Sequence, residues 1–234
     1  MDTINNSGKD KYPAYAMKLQ VMNRVVRHRL RNLCAGVRMT VERIASVTEK
    51  THPDIPNRCK IICTELDSLQ IFTDRMDTLF DTLPTSVQKS LFELLAETRD
   101  CFARKNPLSS LDLSGPEENI SIKNGSWFVI ALGELLDNAA EASGPQGNVK
   151  MKWSLGKENQ SFKIIIENTS EPIAPGIPIN PPVPFHTERS RHDGLGMAIA
   201  YRICSETNSG MVVENSPDKV KIIINFAKEE IINE

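Results

Sequence analysis

His28 lies in Arg24-Val-Val-Arg27-His28-Arg29-Leu30-Arg31-Asn32, a segment of helical character. A neutral imidazole nitrogen is nucleophilic near physiological pH, and a phosphoramidate formed on it is labile enough to pass its phosphoryl group onward. Arg24, Arg31 and Asn32 stand four residues before, three after and four after His28, which puts them on its face of a helix. Two guanidinium groups can offset the charge of an incoming phosphoryl group, and a carboxamide can bond the ring, the phosphate or an attacking water. A solvated basic helix face is the competing account, and it would be preferred for this segment taken alone.

A second set lies farther along. Over residues 126–143, Phe128, Leu132, Leu135, Leu136 and Ala139 form one side of a helix, while Glu134, Asn138 and Glu141 form a polar stripe. A carboxamide oxygen is a suitable hard ligand for magnesium already held by phosphates, and a neighbouring carboxylate can orient water or accept a proton. Ala139, Ala140 and Ala142 allow a ligand to approach the helix closely. Gly194-Leu195-Gly196 opens another helix, where free amides and the positive dipole end favour phosphate and glycine permits close approach. Before it runs Glu171–Pro184, with six prolines in fourteen residues. Such a segment joins neither helix nor ladder and reads as an extended loop, a lid over a ligand.

Two textures position these groups. Residues 14–84 read as two long helices broken at Thr51-His-Pro53-Asp-Ile-Pro56. On the first, the apolar stripe is Leu19, Met22, Val26, Leu30, Leu33, Val37, Thr40, Ile44 and Val47. With Val26 and Leu30 inward, His28, about 200° of helical rotation from both, points to solvent. On the second, Ile55, Cys59, Ile62, Leu66, Leu69, Thr73, Met76, Phe80 and Leu83 form a coiled-coil seam. So narrow a seam buries too little alone, and pairing of two copies into a four-helix bundle completes it.

Thr85-Ser-Val-Gln88 resembles a capping box starting a connecting helix over 85–106. Beyond Pro107, strands and short helices are expected: a strand at Ile120–Lys123, a hairpin from Val149–Leu155 and Phe162–Ile166, a helix at 195–207, and a strand pair around Asn215–Asp218. A mixed sheet with helices on one face follows, an α+β sandwich over residues 107–234, with 1–13 as a disordered tail.

The 234 residues, 40% of them hydrophobic, are enough for two modest domains. A formal charge of −2 gives no general attraction to nucleic acid, which is not an expected partner. No apolar run suffices for a membrane span, and the polar N-terminus is unlike a signal peptide, so the chain reads as cytoplasmic. Cys34, Cys59, Cys63, Cys101 and Cys204 are odd in number and lie among apolar residues, which favours free core thiols. Cys59, Cys63 and His52 are spaced too loosely to be favoured as metal ligands.

Together these motifs, in this order, resemble the catalytic core of two-component histidine kinases. The His28–Asn32 segment resembles the phosphoacceptor box, Glu134–Ala142 the asparagine box, and the segment from Gly194 the second glycine box of the ATPase fold shared with gyrase, the heat-shock ninety chaperones and MutL. The nearer likeness is to the HWE-type subfamilies, whose asparagine box also begins with glutamate. The resemblance implies a dimeric four-helix bundle joined to a GHKL-type sandwich. It also implies ATP and Mg2+ as cofactors and a response-regulator receiver domain as partner. It assigns His28 as phosphoacceptor, Asn32 as its polar neighbour, Glu134 as base and Asn138 as magnesium ligand. Asn168, Gly194, Leu195 and Gly196 are assigned to the nucleotide. Two departures stand out: Arg29 replaces the acidic residue that often follows the histidine, and Ile166-Glu-Asn168-Thr-Ser-Glu171 lacks the glycines of the first glycine box. An ATP-independent phosphotransferase or docking protein is therefore a second expectation, and a protein-serine kinase a third.

Overall fold

A computed structural model of the protein describes residues 11–144, 146–156, 161–169, 173, 179–187 and 193–233. It divides into two compact units, Met1–Leu83 and Pro84–Glu234. Much of the expected lid, including Glu171, lies outside the described residues, as do residues 1–10 of the expected tail.

The first unit is a helical hairpin, α1 (Lys11–Thr48) and α2 (Ile55–Phe80). Pro56 in the first turn of α2 suits that position, because its missing N–H would have no helical partner there. The apolar stripe expected to face inward on α1 does not: Met22, Val26, Leu33, Val37, Ile44 and Val47 are all exposed. The inward positions are Arg27, Cys34 and Val41, all buried and spaced a heptad apart. The reason is ionic. Arg27, only 1% exposed, donates to Asp77 at 2.5 Å and to Asp81 at 2.6 Å. Arg24 pairs with Asp81, Arg31 with Asp74 and Asp77, and Arg38 with Asp67, so a ladder of arginines on α1 meets aspartates on α2. A buried guanidinium is tolerated only when its charge is matched; Nε and Nη2 of Arg27 reach carboxylates while Nη1 finds no acceptor, and this ionic requirement overrides apolar periodicity. On α2 the expected seam is partly covered: Cys59 and Thr73 are buried, whereas Ile62 remains exposed.

The second unit is an α+β sandwich. Its main sheet contains β2 (Ser110–Ser114), β4 (Asn148–Leu155), β5 (Phe162–Asn168), β7 (Lys219–Phe226) and β6 (Gly210–Ser216), in that spatial order. β2 runs parallel to β4, and the other neighbours are antiparallel. A smaller antiparallel sheet joins β1 (Lys89–Ser90), β3 (Ile120–Ile122) and β8 (Ile231–Asn233). Alternation along the strands buries one face of the main sheet, through Val149, Met151, Phe162, Ile164, Ile166, Ile222 and Ile224. Three helices pack with it: α3 (Leu91–Lys105), α4 (Gly125–Ser143) and α5 (Gly196–Glu206). On α4, Phe128, Leu132, Leu135 and Leu136 are wholly buried, and truncating such a side chain to alanine costs about 2–5 kcal/mol.

Helix α3 begins later than its expected capping box. The box is Ser90 with Glu93, whose carboxylate returns to the Ser90 N–H at 2.8 Å. The preceding segment is extended because Val87 exchanges hydrogen bonds with Ser126 and Lys89 pairs with Ile122. Read from sequence as a connector, α3 is packed within the second unit: Lys105 and Asn106 at its C-terminal end both bond Asp137 of α4. The N-cap of α4 is held from the chain's other end, where buried Glu230 accepts from Asn124 N and Nδ2. No helix among the described residues is long and apolar enough to cross a membrane.

Candidate functional site

Chain connectivity brings the second unit's motifs to one end of the main sheet. Helix α4 ends at Ser143 and leads through Gly144–Gly147 into β4, whose second residue, Val149, pairs with Asn168 at the end of β5. Asn168 pairs in turn with Val220 of β7. Helix α5 ends near the start of β6, which is level with Lys163 at the other end of β5, so its first turn lies at the Asn168 end.

There α4 and α5 meet closely. A methyl group added to Gly196 would stand 2.6 Å from Asn138 Nδ2, 3.0 Å from Glu134 Oε2 and 3.2 Å from Asn138 Oδ1. Only a residue without a side chain lets the first turn of α5 lie against this carboxylate and carboxamide. Ala139 and Ala140 are buried beside them. Gly194 also needs to be glycine: its φ is +67°, and a side chain would strike the backbone of Phe185 and His186 at 2.9 Å. Phe185 N donates to Gly194 O at 3.1 Å, which ties the loop to its approach segment. Leu195 contributes differently from its neighbours. Its side chain is fully buried and its N–H donates to Asp193 Oδ1 at 3.1 Å, so Leu195 anchors the turn.

Asn168 is 6% exposed, and its Nδ2 has no hydrogen-bond partner. An unsatisfied buried donor costs about 1–3 kcal/mol, a cost tolerated where a ligand supplies the missing acceptor.

In the first unit, His28 is exposed midway along α1, with its Nδ1 3.3 Å from Asn32 Nδ2. The expected exposure of the ring therefore holds, although Val26 does not point inward. Arg24 and Arg31, expected to offset phosphoryl charge, have other partners in this structure. Both are engaged by aspartates of α2, because those carboxylates lie within reach of the same helix face. Burial would lower the pKa of Arg31, but the hydrogen bonds it donates to Asp77 and Asp74 raise it above the usual value. Bonding and charge from Asp81 raise that of Arg24.

Sequence reasoning passed over Asp193, Asp137 and Glu230, which fix the glycine turn, α3 against α4, and the start of α4. The Asp-Gly pair at 193–194 is a turn signal that marks the first of these; the other two contacts are long-range and leave no local trace.

No protein-family model matches the sequence, and the comparison with curated proteins found no match. Solved structures do match. The mycobacterial sensor histidine kinase MprB aligns at TM-score 0.53 and 18% identity, over 61% of this chain and 97% of that one. The catalytic domain of the histidine kinase ThkA aligns at 0.54 and 22%, over 62% and 97%. Full-length ShkA in complex with AMPPNP aligns at 0.64 and 14%, over 85% of this chain and 45% of that one. The chain thus carries the fold of these histidine kinase structures, an N-terminal helical region followed by an α+β sandwich.

Proposed function

We propose that this protein is a histidine kinase core that binds Mg-ATP in its second unit and phosphorylates His28. The observation that carries the reading is the approach of Gly196 to Asn138 and Glu134, at the sheet end where buried Asn168 presents an unpaired donor. The arrangement supplies a base-reading carboxamide at Asn168, a hard oxygen for magnesium at Asn138, and a glycine turn open to phosphates. Magnesium, when bound, neutralises phosphate charge. Glu134 serves as the base that takes the ring's Nδ1 proton once Nε2 of His28 has been phosphorylated.

His28 acts through Nε2. Rotating the Asn32 carboxamide half a turn sets its oxygen against the ring, where it accepts from Nδ1–H and leaves the Nε2 lone pair free. That lone pair forms the bond to the γ-phosphorus as the bond to the β,γ-bridging oxygen breaks and ADP leaves. Exposure on a helix lets an aspartate of a response-regulator receiver domain take the phosphoryl group next. The exposed stripe Met22, Val26, Leu33, Val37 and Ile44 supports pairing with a second copy into a four-helix bundle.

Incubation with γ-labelled ATP tests this. Wild type acquires base-stable, acid-labile label and His28→Ala does not; wild type unlabelled under conditions that label a known kinase refutes the autokinase role.

One observation favours a second reading. Thr169-Ser-Glu follows Asn168 where glycines would let backbone approach a nucleotide, which suits a phosphotransferase that relays phosphate through His28 without ATP. Calorimetric titration separates the two, because this second reading predicts no magnesium-dependent ATP binding.

A further inference from the structure

We propose that the outer edge of β2, with the cleft beside it, docks an extended basic segment of a partner protein as an added strand. β2 lies at one end of the main sheet, and among the described residues no strand pairs its other side. The Ser110 N–H donates to Gly147 O at the start of the ladder with β4. Alternate residues of a parallel strand bond the same neighbour, so Leu111 and Leu113 turn their N–H and C=O groups outward. Such an open row is a template for another strand, and natural edges are commonly blunted by lysine, proline or a bulge. Ser110-Leu-Asp-Leu-Ser114 pairs in unbroken register and contains neither residue.

A side-chain pocket adjoins that row. A cleft of about 410 Å3 opens between α3 and the end of β2, with Phe92, Leu95, Leu113 and Trp153 as its apolar lining. Its wall is fixed: Trp153 Nε1 donates to Pro116 O at 2.8 Å, and a methyl group on Gly115 would stand 2.4 Å from the indole. Phe92 is 81% exposed, so the cleft offers its apolar surface directly to solvent. Strand addition uses this combination, in which main-chain hydrogen bonds supply affinity and pockets for alternate side chains supply specificity.

Charge selects the partner. Glu117 and Glu118 also line the cleft and join no ion pair among the described residues, whereas Arg99, its one cation, lies 3.7 Å from Asp100. Asp112 adds a negative charge on the strand itself. A segment bearing lysine or arginine complements this edge. A second copy of the edge does not, because pairing would bring Asp112 and both glutamates against their own kind.

Hydrogen exchange of the full chain, read residue by residue by NMR, tests the proposal with three short blocked peptides. The first alternates lysine with leucine, the second alternates glutamate with leucine, and the third is the lysine peptide with a central leucine replaced by proline. The lysine peptide is expected to slow exchange at the Leu111 and Leu113 amides. It is also expected to bind at least about tenfold tighter than the glutamate peptide, which lacks the charge, and the proline peptide, which lacks a ladder donor. Glu117→Lys/Glu118→Lys, outside any helix or strand, is expected to weaken the lysine peptide at least about tenfold. No binding of the lysine peptide, or binding that leaves both leucine amides unprotected, overturns the proposal. Equal binding of the proline peptide also overturns it, since charge alone then holds the ligand, and equal binding of the glutamate peptide removes the basic partner. Protection of Leu111 and Leu113 in the free chain that is lost on dilution assigns the edge to a second copy and overturns it as well. The wild-type measurements decide the matter even if the double variant does not fold.

Discussion

Gly196 and Asn138 share a space too small for one more carbon: a side chain at residue 196 would come to 2.6 Å of the Asn138 amide nitrogen. Because that nitrogen ends a flexible side chain, Gly196→Ala is expected to displace the carboxamide and spare the fold. Alanine also favours the helix by up to about 1 kcal/mol over glycine. The expected outcome is a melting temperature within a few degrees of wild type and Mg-ATP affinity at least about tenfold weaker, the loss expected when a site residue's geometry shifts. Calorimetry and thermal denaturation on one preparation check it.

The Arg27 ladder gives the hairpin an acid-sensitive component. Burial alone would raise the pKa of Asp81, but hydrogen bonds from Arg24 and Arg27 outweigh it and hold the carboxyl below the usual carboxylate range. A depressed folded pKa contributes stability that is complete above the unfolded value of about 4 and is lost as pH falls through the folded value. Helicity followed from pH 6 to pH 2 should therefore decline at the acid end. Asp81→Asn is expected to start less stable and to lose less over that range.

Arg27→Met tests the ladder from the other partner. Removing the guanidinium takes from Asp77 and Asp81 the cation they share and leaves them, both partly exposed, with Arg31 and Arg24, so the loss is that of charged hydrogen bonds, about 1.5–3 kcal/mol. Urea denaturation monitored by circular dichroism should show that loss. Arg29→Met, an exposed neighbour on the same helix, should change stability by no more than about 0.5 kcal/mol.

Glu230 caps a helix that begins more than a hundred residues earlier, accepting from Asn124 N at 3.1 Å and Nδ2 at 2.9 Å. Glu230→Ala leaves the Asn124 donors at the start of α4 without their acceptor. It is expected to lower stability by about 2 kcal/mol and the melting temperature by roughly 4–8 °C. Differential scanning calorimetry reads both.

The exposed apolar stripe on α1 predicts an oligomer that charge can dissolve. Val26 and Leu33 are 49% and 62% exposed, so glutamate at both places disturbs no internal packing of the hairpin. The double variant Val26→Glu/Leu33→Glu is expected to elute as a monomer in light-scattering chromatography, while wild type elutes as a dimer.

Much of the second unit was legible in sequence because its signals are local. Alternation marked β4 and β5 to within about two residues, and the apolar side of α4 was read correctly from Phe128 to Ala139. β8 carried no such mark, and Glu230 beside it depends on a contact distant in sequence. On α1, periodicity misled because it counts greasy residues only. The helix has two stripes, and the one that faces α2 is built on Arg27 with its aspartates. The site residues were recognisable as types, but that Gly196 touches Asn138, and that Asn168 lacks a partner, are facts of three-dimensional contact.

From Arg24 to Arg38, α1 contains no acidic residue, and from Asp67 to Asp81, the end of α2 and the residue that caps it contain four aspartates and one arginine. Arg24 meets Asp81, Arg31 meets Asp74 and Arg38 meets Asp67, so residue numbers in each pair rise on one helix as they fall on the other. The rungs are a heptad apart, so sliding one helix by seven residues leaves at least one rung unpaired and takes Arg27 away from the pair Asp77 and Asp81. The correct alignment is thus written jointly in both segments, like a key and its lock. Exchanging the charges of a single rung between the helices should preserve that alignment, whereas reversing one side alone should abolish it.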